Sequence, residues 1–239
     1  MDWHRPIDNY CERLGPEFWA EPLNAWSNAA FLVAAAVAAI VARRRGGPDV
    51  GVALLIAVMV AIGVGSFLFH TVATPLAALA DVVPIQLFIV GYMALAMRRF
   101  AGMAWWGAAA VTAGFVAVSA VGGQLLGRAV DLNGSQGYIP PLLALGVVGA
   151  ALWASGRGAA GRALILGAAI FALSLTFRTV DAAMCERLPT GTHILWHLLN
   201  GLLLGHLTVA LIRHGEGPPR RNVRPVSAPP ERSPGNPRP

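Results

Sequence analysis

Apolar residues fill most of the chain in stretches of roughly 17 to 22 residues, separated by short islands of charged and turn-forming residues. Each stretch is long enough for a helix to cross a bilayer core of about 30 Å. The pattern therefore predicts an all-α integral membrane protein, a seven-transmembrane helix bundle. The predicted spans are Leu23–Ala42, Val50–His70, Val82–Met97, Gly102–Val121, Ile139–Ala154, Leu164–Phe177 and His193–Ile212.

The composition agrees with a membrane protein and argues against a nucleic-acid partner. Of the 239 residues, 56% are hydrophobic and only 13% are charged, which is too apolar for an ordinary soluble domain. The formal net charge is +6, but every basic residue is an arginine, and none forms a stripe interleaved with exposed aromatic residues. We expect this chain to contact a lipid bilayer and not to bind nucleic acid.

The arginines indicate how the bundle is oriented. If successive spans alternate in direction, one side collects most of the arginines, and the positive-inside rule assigns that side to the cytoplasm. These residues are Arg43, Arg44, Arg45, Arg98, Arg99, Arg157, Arg162 and Arg213. We expect the N-terminus outside and the C-terminus in the cytoplasm. The Arg-only, Gly/Ala-rich composition is typical of a bacterial protein from a GC-rich genome, which predicts the inner membrane with its outer face toward the periplasm.

Three regions follow from this pattern. Residues 1–22 form an acidic extracytoplasmic segment without the basic and apolar regions of a signal peptide, so we expect the first span to act as the insertion signal. Residues 23–213 form the seven-helix domain. Residues 214–239 are rich in proline and arginine and are predicted to be a disordered cytoplasmic tail.

The candidate chemistry lies at the outer end of the predicted bundle. Ser66 precedes His70 by four residues, and His193 precedes His197 by the same spacing, which places each pair on one helix face. The second span ends at His70, the third begins just after Asp81, and the seventh begins at His193. We therefore expect three histidines and one carboxylate at the same membrane depth.

Ionisable groups inside a membrane are costly unless they are paired or bound to a metal. Three imidazoles that leave a fourth position to water form the ligand set of a catalytic zinc site. The predicted ligands are His70, His193 and His197. Asp81 is predicted to orient the water and to move its proton, and Ser66 to hydrogen-bond a substrate oxygen. The alternatives are solvated interfacial histidines, a helix cap at Asp81 and a packing role for Ser66.

Short motifs across the chain resemble the alkaline ceramidase family, part of a superfamily of seven-helix membrane hydrolases that includes the adiponectin receptors. The motifs are, in order, Tyr10-Cys11-Glu12, Ala20-Glu21-Pro22-Leu23-Asn24-Ala25-Trp26-Ser27-Asn28, Ser66-x-x-x-His70 followed by Asp81, and Gly191-Thr192-His193-Ile194-Leu195-Trp196-His197-x-x-Asn200. The resemblance implies a zinc-dependent amidase that cleaves the N-acyl bond of ceramide, or of a related N-acyl lipid, to a fatty acid and a sphingoid base. It assigns zinc to the three histidines, proton handling to Asp81 and a place beside the metal to Ser66.

The same resemblance implies a calcium site in the acidic N-terminal segment. Its ligands would be Asp8, Tyr10 through the backbone carbonyl, Glu12 and Glu21, since calcium prefers oxygen ligands. Asn9 competes with Asp8 for the first position, and a solvated acidic segment without calcium is the alternative.

Two cysteines, Cys11 and Cys185, fall on the predicted outer side, where oxidation is permitted. The resemblance points to a disulfide between them, which would tie the N-terminal segment to the loop before the seventh span. Their spacing alone does not decide this, because two cysteines in a membrane protein are commonly free and buried.

Functions from other classes stay open at this point. A non-enzymatic receptor or structural protein would use the histidines to hold helices together and would take a fourth protein ligand in place of water. A transporter is disfavoured, because the sequence contains neither broken helices nor a clear internal repeat. The sequence does not decide which N-acyl lipid is the substrate or what oligomer forms.

Overall fold

The computed structural model describes residues 2–3 and 5–215. In this part of the chain the backbone forms α-helices and one short 3₁₀ helix, with no strand. The elements are α1 (Pro22–Ser27), α2 (Ala29–Arg44), α3 (Val50–Val72), α4 (Pro75–Arg99), α5 (Trp105–Ala129), the 3₁₀ helix (Gln136–Tyr138), α6 (Ile139–Ala154), α7 (Gly158–Met184) and α8 (His193–His214). The part of the predicted disordered tail that follows residue 215 lies outside the described residues.

Seven segments of 19 to 27 residues are long and apolar enough to cross a membrane, with α1 and α2 together forming the first. Large apolar side chains on the outer faces of these helices stay exposed, as a lipid-facing surface requires. Trp106 on α5, for example, is 81% exposed. The chain is therefore an all-α, multi-pass membrane protein, which confirms the predicted fold class.

Helix α8 lies at the centre of the bundle. It packs mainly against α2 and α7, and it also contacts α1, α3 and α4. Helices α3 and α4 form one close pair, and α6 and α7 form another. Met59, Ile62, Leu164 and Leu211 are fully buried between these helices. The central position of α8 brings its first turns next to the last turn of α3.

Helix α4 begins earlier than predicted, at Pro75 rather than Val82. Thr74 caps it by accepting a hydrogen bond from the backbone N–H of Ala77, and proline is well suited to the first turn of a helix. Asp81 therefore lies inside α4 and not in the loop before it. The alternative of a helix cap at Asp81 is wrong, because the cap is Thr74.

Helices α5 and α7 also extend beyond the predicted spans. Helix α5 continues to Ala129 and not Val121, and α7 occupies Gly158–Met184 instead of Leu164–Phe177. Both extensions contain charged or polar residues that the apolar pattern excludes. The extension of α7 carries Asp181, which contacts the backbone of a candidate site residue, His193.

Candidate metal centre

The three predicted histidines come together inside the bundle. His70 lies near the end of α3, and His193 and His197 lie in the first turns of α8. Their exposed fractions are only 1%, 2% and 1%, respectively. One ring nitrogen of each lies within 4.8 Å of the other two. Among the described residues, this is the group of histidine, cysteine and acidic side chains that can hold a metal ion.

Two of these imidazoles have a buried ring nitrogen without a hydrogen-bond partner. The atoms are Nε2 of His70 and Nδ1 of His193. Buried polar atoms are normally paired, and leaving one unpaired costs about 1–3 kcal/mol. A metal ion accepts the lone pairs of imidazole nitrogens, so these orphaned atoms fit a metal site.

Glu21 fixes the orientation of His70. Its Oε2 atom accepts a hydrogen bond from Nδ1 of His70 at 2.6 Å, which leaves the lone pair of the neutral ring on Nε2. Burial raises the pKa of the Glu21 carboxyl, but hydrogen bonds from His70 and Arg13 outweigh burial and hold that pKa below its usual range. An ionised Glu21 is the acceptor that this tautomer of His70 needs.

Ser27 has the same effect on His197. The Ser27 hydroxyl donates its single hydrogen to the carbonyl of Asn24 at 2.8 Å, so it accepts a hydrogen bond from Nδ1 of His197 at 2.7 Å. The lone pair of neutral His197 then lies on Nε2. Sequence reasoning missed both partners, although Glu21 and Ser27 belong to the N-terminal motif that carries the family resemblance.

Asp181 positions His193 and was also missed as a site residue. Its side chain is fully buried and accepts hydrogen bonds from the backbone N–H groups of Thr192 at 2.6 Å and His193 at 2.9 Å. A third hydrogen bond comes from the backbone N–H of Cys11 at 3.2 Å. Asp181 therefore caps the start of α8 and ties the N-terminal segment to it. The signal that could have identified it is an acidic residue just beyond the end of an apolar span.

The N-terminal segment covers the histidine cluster. Cys11 and Cys185 form a disulfide, which confirms the pairing that the resemblance implied. The ring of Tyr10 stacks on that of His193, with 3.6 Å between the ring centroids. Burial raises the pKa of the Tyr10 hydroxyl, so this group stays neutral. The segment thus forms one wall of the site.

Asp81 and Ser66 lie beside this cluster on facing helices. The Ser66 hydroxyl and the His70 ring both lie close enough to the Asp81 carboxylate to interact with it electrostatically. The Oδ1 atom of Asp81 is buried without a hydrogen-bond partner. This arrangement leaves one carboxylate oxygen available to a water molecule or a substrate.

The four predicted calcium ligands do not fit a calcium site as they are arranged. Both oxygens of Glu12 accept hydrogen bonds from backbone N–H groups at the start of α1, at 2.7 and 2.8 Å. Both oxygens of Glu21 are bonded to side chains, Asp8 is exposed, and the Tyr10 carbonyl accepts the backbone N–H of Arg13. Calcium requires six to eight oxygen ligands, whereas Glu12, Glu21 and the Tyr10 carbonyl are already engaged in hydrogen bonds, and the Arg13 guanidinium lies against Glu21.

An apolar cavity adjoins the histidines. Its walls come from α2, α4, α5, α6, α7, α8 and the 3₁₀ helix, and no charged side chain lines it. Phe31 and Trp196 line the cavity and also lie beside the cluster, since the Phe31 ring neighbours that of His197 and the Trp196 ring neighbours that of His193, each at 6.4 Å between centroids. The cavity can therefore accommodate hydrocarbon next to the imidazoles.

Two comparisons with known proteins bear on this site. A family model described as Ceramidase matches residues 8–217, which include the N-terminal segment and all seven spans. No curated protein matches the sequence. The matched region contains every residue of the histidine cluster and every partner described above.

Proposed function

Because the chain belongs to the ceramidase family, we propose that it is a zinc-dependent membrane amidase that hydrolyses the N-acyl bond of ceramide or a related N-acyl lipid. The products are a fatty acid and an amine, which is a sphingoid base when the substrate is ceramide. The observation that carries the proposal is the buried cluster of His70, His193 and His197, with two orphaned ring nitrogens.

The proposed zinc ligands are these three histidines. When bound there, zinc supplies a Lewis acid and lowers the pKa of a coordinated water toward about 7. Glu21 and Ser27 hold two of the rings in the tautomer that offers Nε2, which is how partners of metal-binding histidines raise metal affinity.

Asp81 is the proposed proton carrier. Its unpartnered Oδ1 atom takes a proton from the attacking water and returns it to the nitrogen of the leaving amine, which regenerates the carboxylate. The Ser66 hydroxyl lies next to the Asp81 carboxylate. We propose that it donates to the substrate oxygen that gains negative charge.

The apolar cavity is the proposed site for a hydrocarbon chain of the lipid. It is uncharged and continues to Phe31 and Trp196 beside the histidines, so a chain bound there presents its amide to the cluster. With the N-terminus outside, the reaction would occur near the outer face of the membrane, which is the periplasmic face in a bacterium.

A receptor with a structural metal site is the second candidate. A structural zinc site normally has four protein ligands, whereas the cluster in the described residues has three. This count favours the catalytic function, because a fourth position stays open to water.

The change Asp81→Asn tests the enzymatic proposal. It preserves the size of the side chain but removes its ability to accept a proton. Zinc content should stay the same, and hydrolysis should fall by about 10² to 10⁴-fold. The matched control is Asp131→Asn, at an exposed position before the 3₁₀ helix, which should leave both unchanged. Unchanged hydrolysis in Asp81→Asn would remove Asp81 from the mechanism.

A further inference from the structure

Arg13 is a buried cation that the proposed reaction does not use. Its side chain is 5% exposed, and its guanidinium donates to the carboxylate of Glu21 and to the carbonyls of Gly15 and His70. The Glu21 contact is 2.5 Å, and the two carbonyl contacts are each 3.1 Å. A buried charge is tolerated only when it is paired and hydrogen-bonded, so Arg13 occupies a site built for it.

The contacts of Arg13 converge on one proposed zinc ligand. Through Nε it binds Glu21, the carboxylate that accepts the Nδ1 hydrogen of His70. Through Nη2 it binds the backbone carbonyl of His70 itself. Arg13 therefore holds both the side-chain partner and the backbone of the same histidine.

The position of Arg13 also argues against a calcium ion at Glu21. The guanidinium lies on Glu21, the carboxylate that the predicted calcium site shares with the histidine cluster. A calcium ion bound to Glu21 would have to displace the guanidinium, or it would be repelled by this positive charge at close range. Of the other two acidic residues in the predicted calcium site, Glu12 caps α1 through both of its oxygens, and Asp8 is exposed.

We propose that Arg13 is a positioning residue that serves as the built-in cation of the N-terminal segment, fixing Glu21 and His70 for metal binding without calcium. The proposal rests on the proposed function only in taking the three histidines as a metal site. The planar guanidinium of Arg13 donates several hydrogen bonds in fixed directions, which an ammonium group or a bare ion does not reproduce.

The test compares Arg13→Met and Arg13→Lys with the control Arg5→Met, an exposed position in the same segment. Zinc affinity is measured by competition with a chelator of known affinity, and Co²⁺-loaded protein reports the ligand geometry through its visible spectrum. Arg13→Met should weaken zinc binding by about 10- to 100-fold and alter the Co²⁺ spectrum. Arg13→Lys should restore only part of the affinity, and Arg5→Met should match the wild-type protein.

A calcium titration of the wild-type protein is the independent arm. We expect no calcium binding at micromolar concentrations, and added calcium should not change the thermal unfolding temperature. Calcium binding, or unchanged zinc affinity in folded Arg13→Met, overturns the proposal. If Arg13→Met does not fold, the calcium titration alone decides. Neither measurement uses a lipid substrate, so a protein whose zinc affinity depends on Arg13 but that cleaves no lipid would contradict only the proposed function.

Discussion

Gly65 of α3 lies against the backbone carbonyl of Ala80 in α4, and a Cβ atom at position 65 would collide with the oxygen of that carbonyl. The next residues along the two helices are Ser66 and Asp81. The absence of a side chain at position 65 therefore permits the close helix approach that brings the hydroxyl to the carboxylate.

The change Gly65→Ala should therefore reduce hydrolysis sharply. Separating α3 from α4 displaces Asp81 from the histidine cluster, and a shift of about 1 Å in a catalytic group can cost about 10²-fold in rate. The matched control is Gly114→Ala in α5, where no described atom lies within 4 Å of the added Cβ. Equal turnover in both variants, measured in the same detergent, would show that the Gly65 contact does not set the site geometry.

Asp181 should be important for stability as well as for the position of His193. Asp181→Ala leaves three backbone N–H groups without their acceptor, so we expect the free energy of unfolding to fall by at least about 2 kcal/mol. Zinc affinity should fall as well. Asp131→Ala is the control, because Asp131 is exposed and accepts one backbone N–H, from Asn133. Similar unfolding temperatures for the two variants in detergent would contradict the capping role of Asp181.

The orientation of the bundle can be tested by thiol labelling. Both cysteines are in a disulfide, so the wild-type protein offers no free thiol. In intact cells, an impermeant reagent should label Asp131→Cys, and it should label Pro48→Cys only after the membrane is opened. A reporter fused after Arg213 should be cytoplasmic. The reverse labelling pattern would place the N-terminus and the histidine cluster on the cytoplasmic side.

The spans could be predicted from a local pattern, and the histidine cluster from helical spacing together with the alternating direction of the spans. A bilayer requires long apolar segments, and four-residue spacing places His193 and His197 on one face of any helix. Helix ends were less predictable, since a helix continues past its apolar part wherever its polar groups find partners. Asp181, for example, lies inside α7 because backbone groups from elsewhere in the chain bind its carboxylate.

The partners of the histidines could not be predicted from spacing. Glu21 and His70 are 49 residues apart, and Ser27 and His197 are 170 residues apart. No periodicity connects such pairs, because they meet only through the packing of α1 on α3 and α8. The same side chains, carboxylates above all, can bind calcium or accept a hydrogen bond from histidine. Glu21 could therefore be selected as a site residue from the sequence, but its partner could not.

The most direct test of the account is release of fatty acid by the purified, zinc-loaded protein. The substrates are ceramide and other N-acyl lipids in mixed micelles, and mass spectrometry quantifies both the fatty acid and the amine. We predict equal amounts of the two products, loss of activity when a chelator removes zinc, recovery when zinc is restored, and no activity in His193→Ala or His197→Ala. A folded, zinc-loaded protein that releases no fatty acid from ceramide or any other N-acyl lipid would contradict the amidase and favour the receptor.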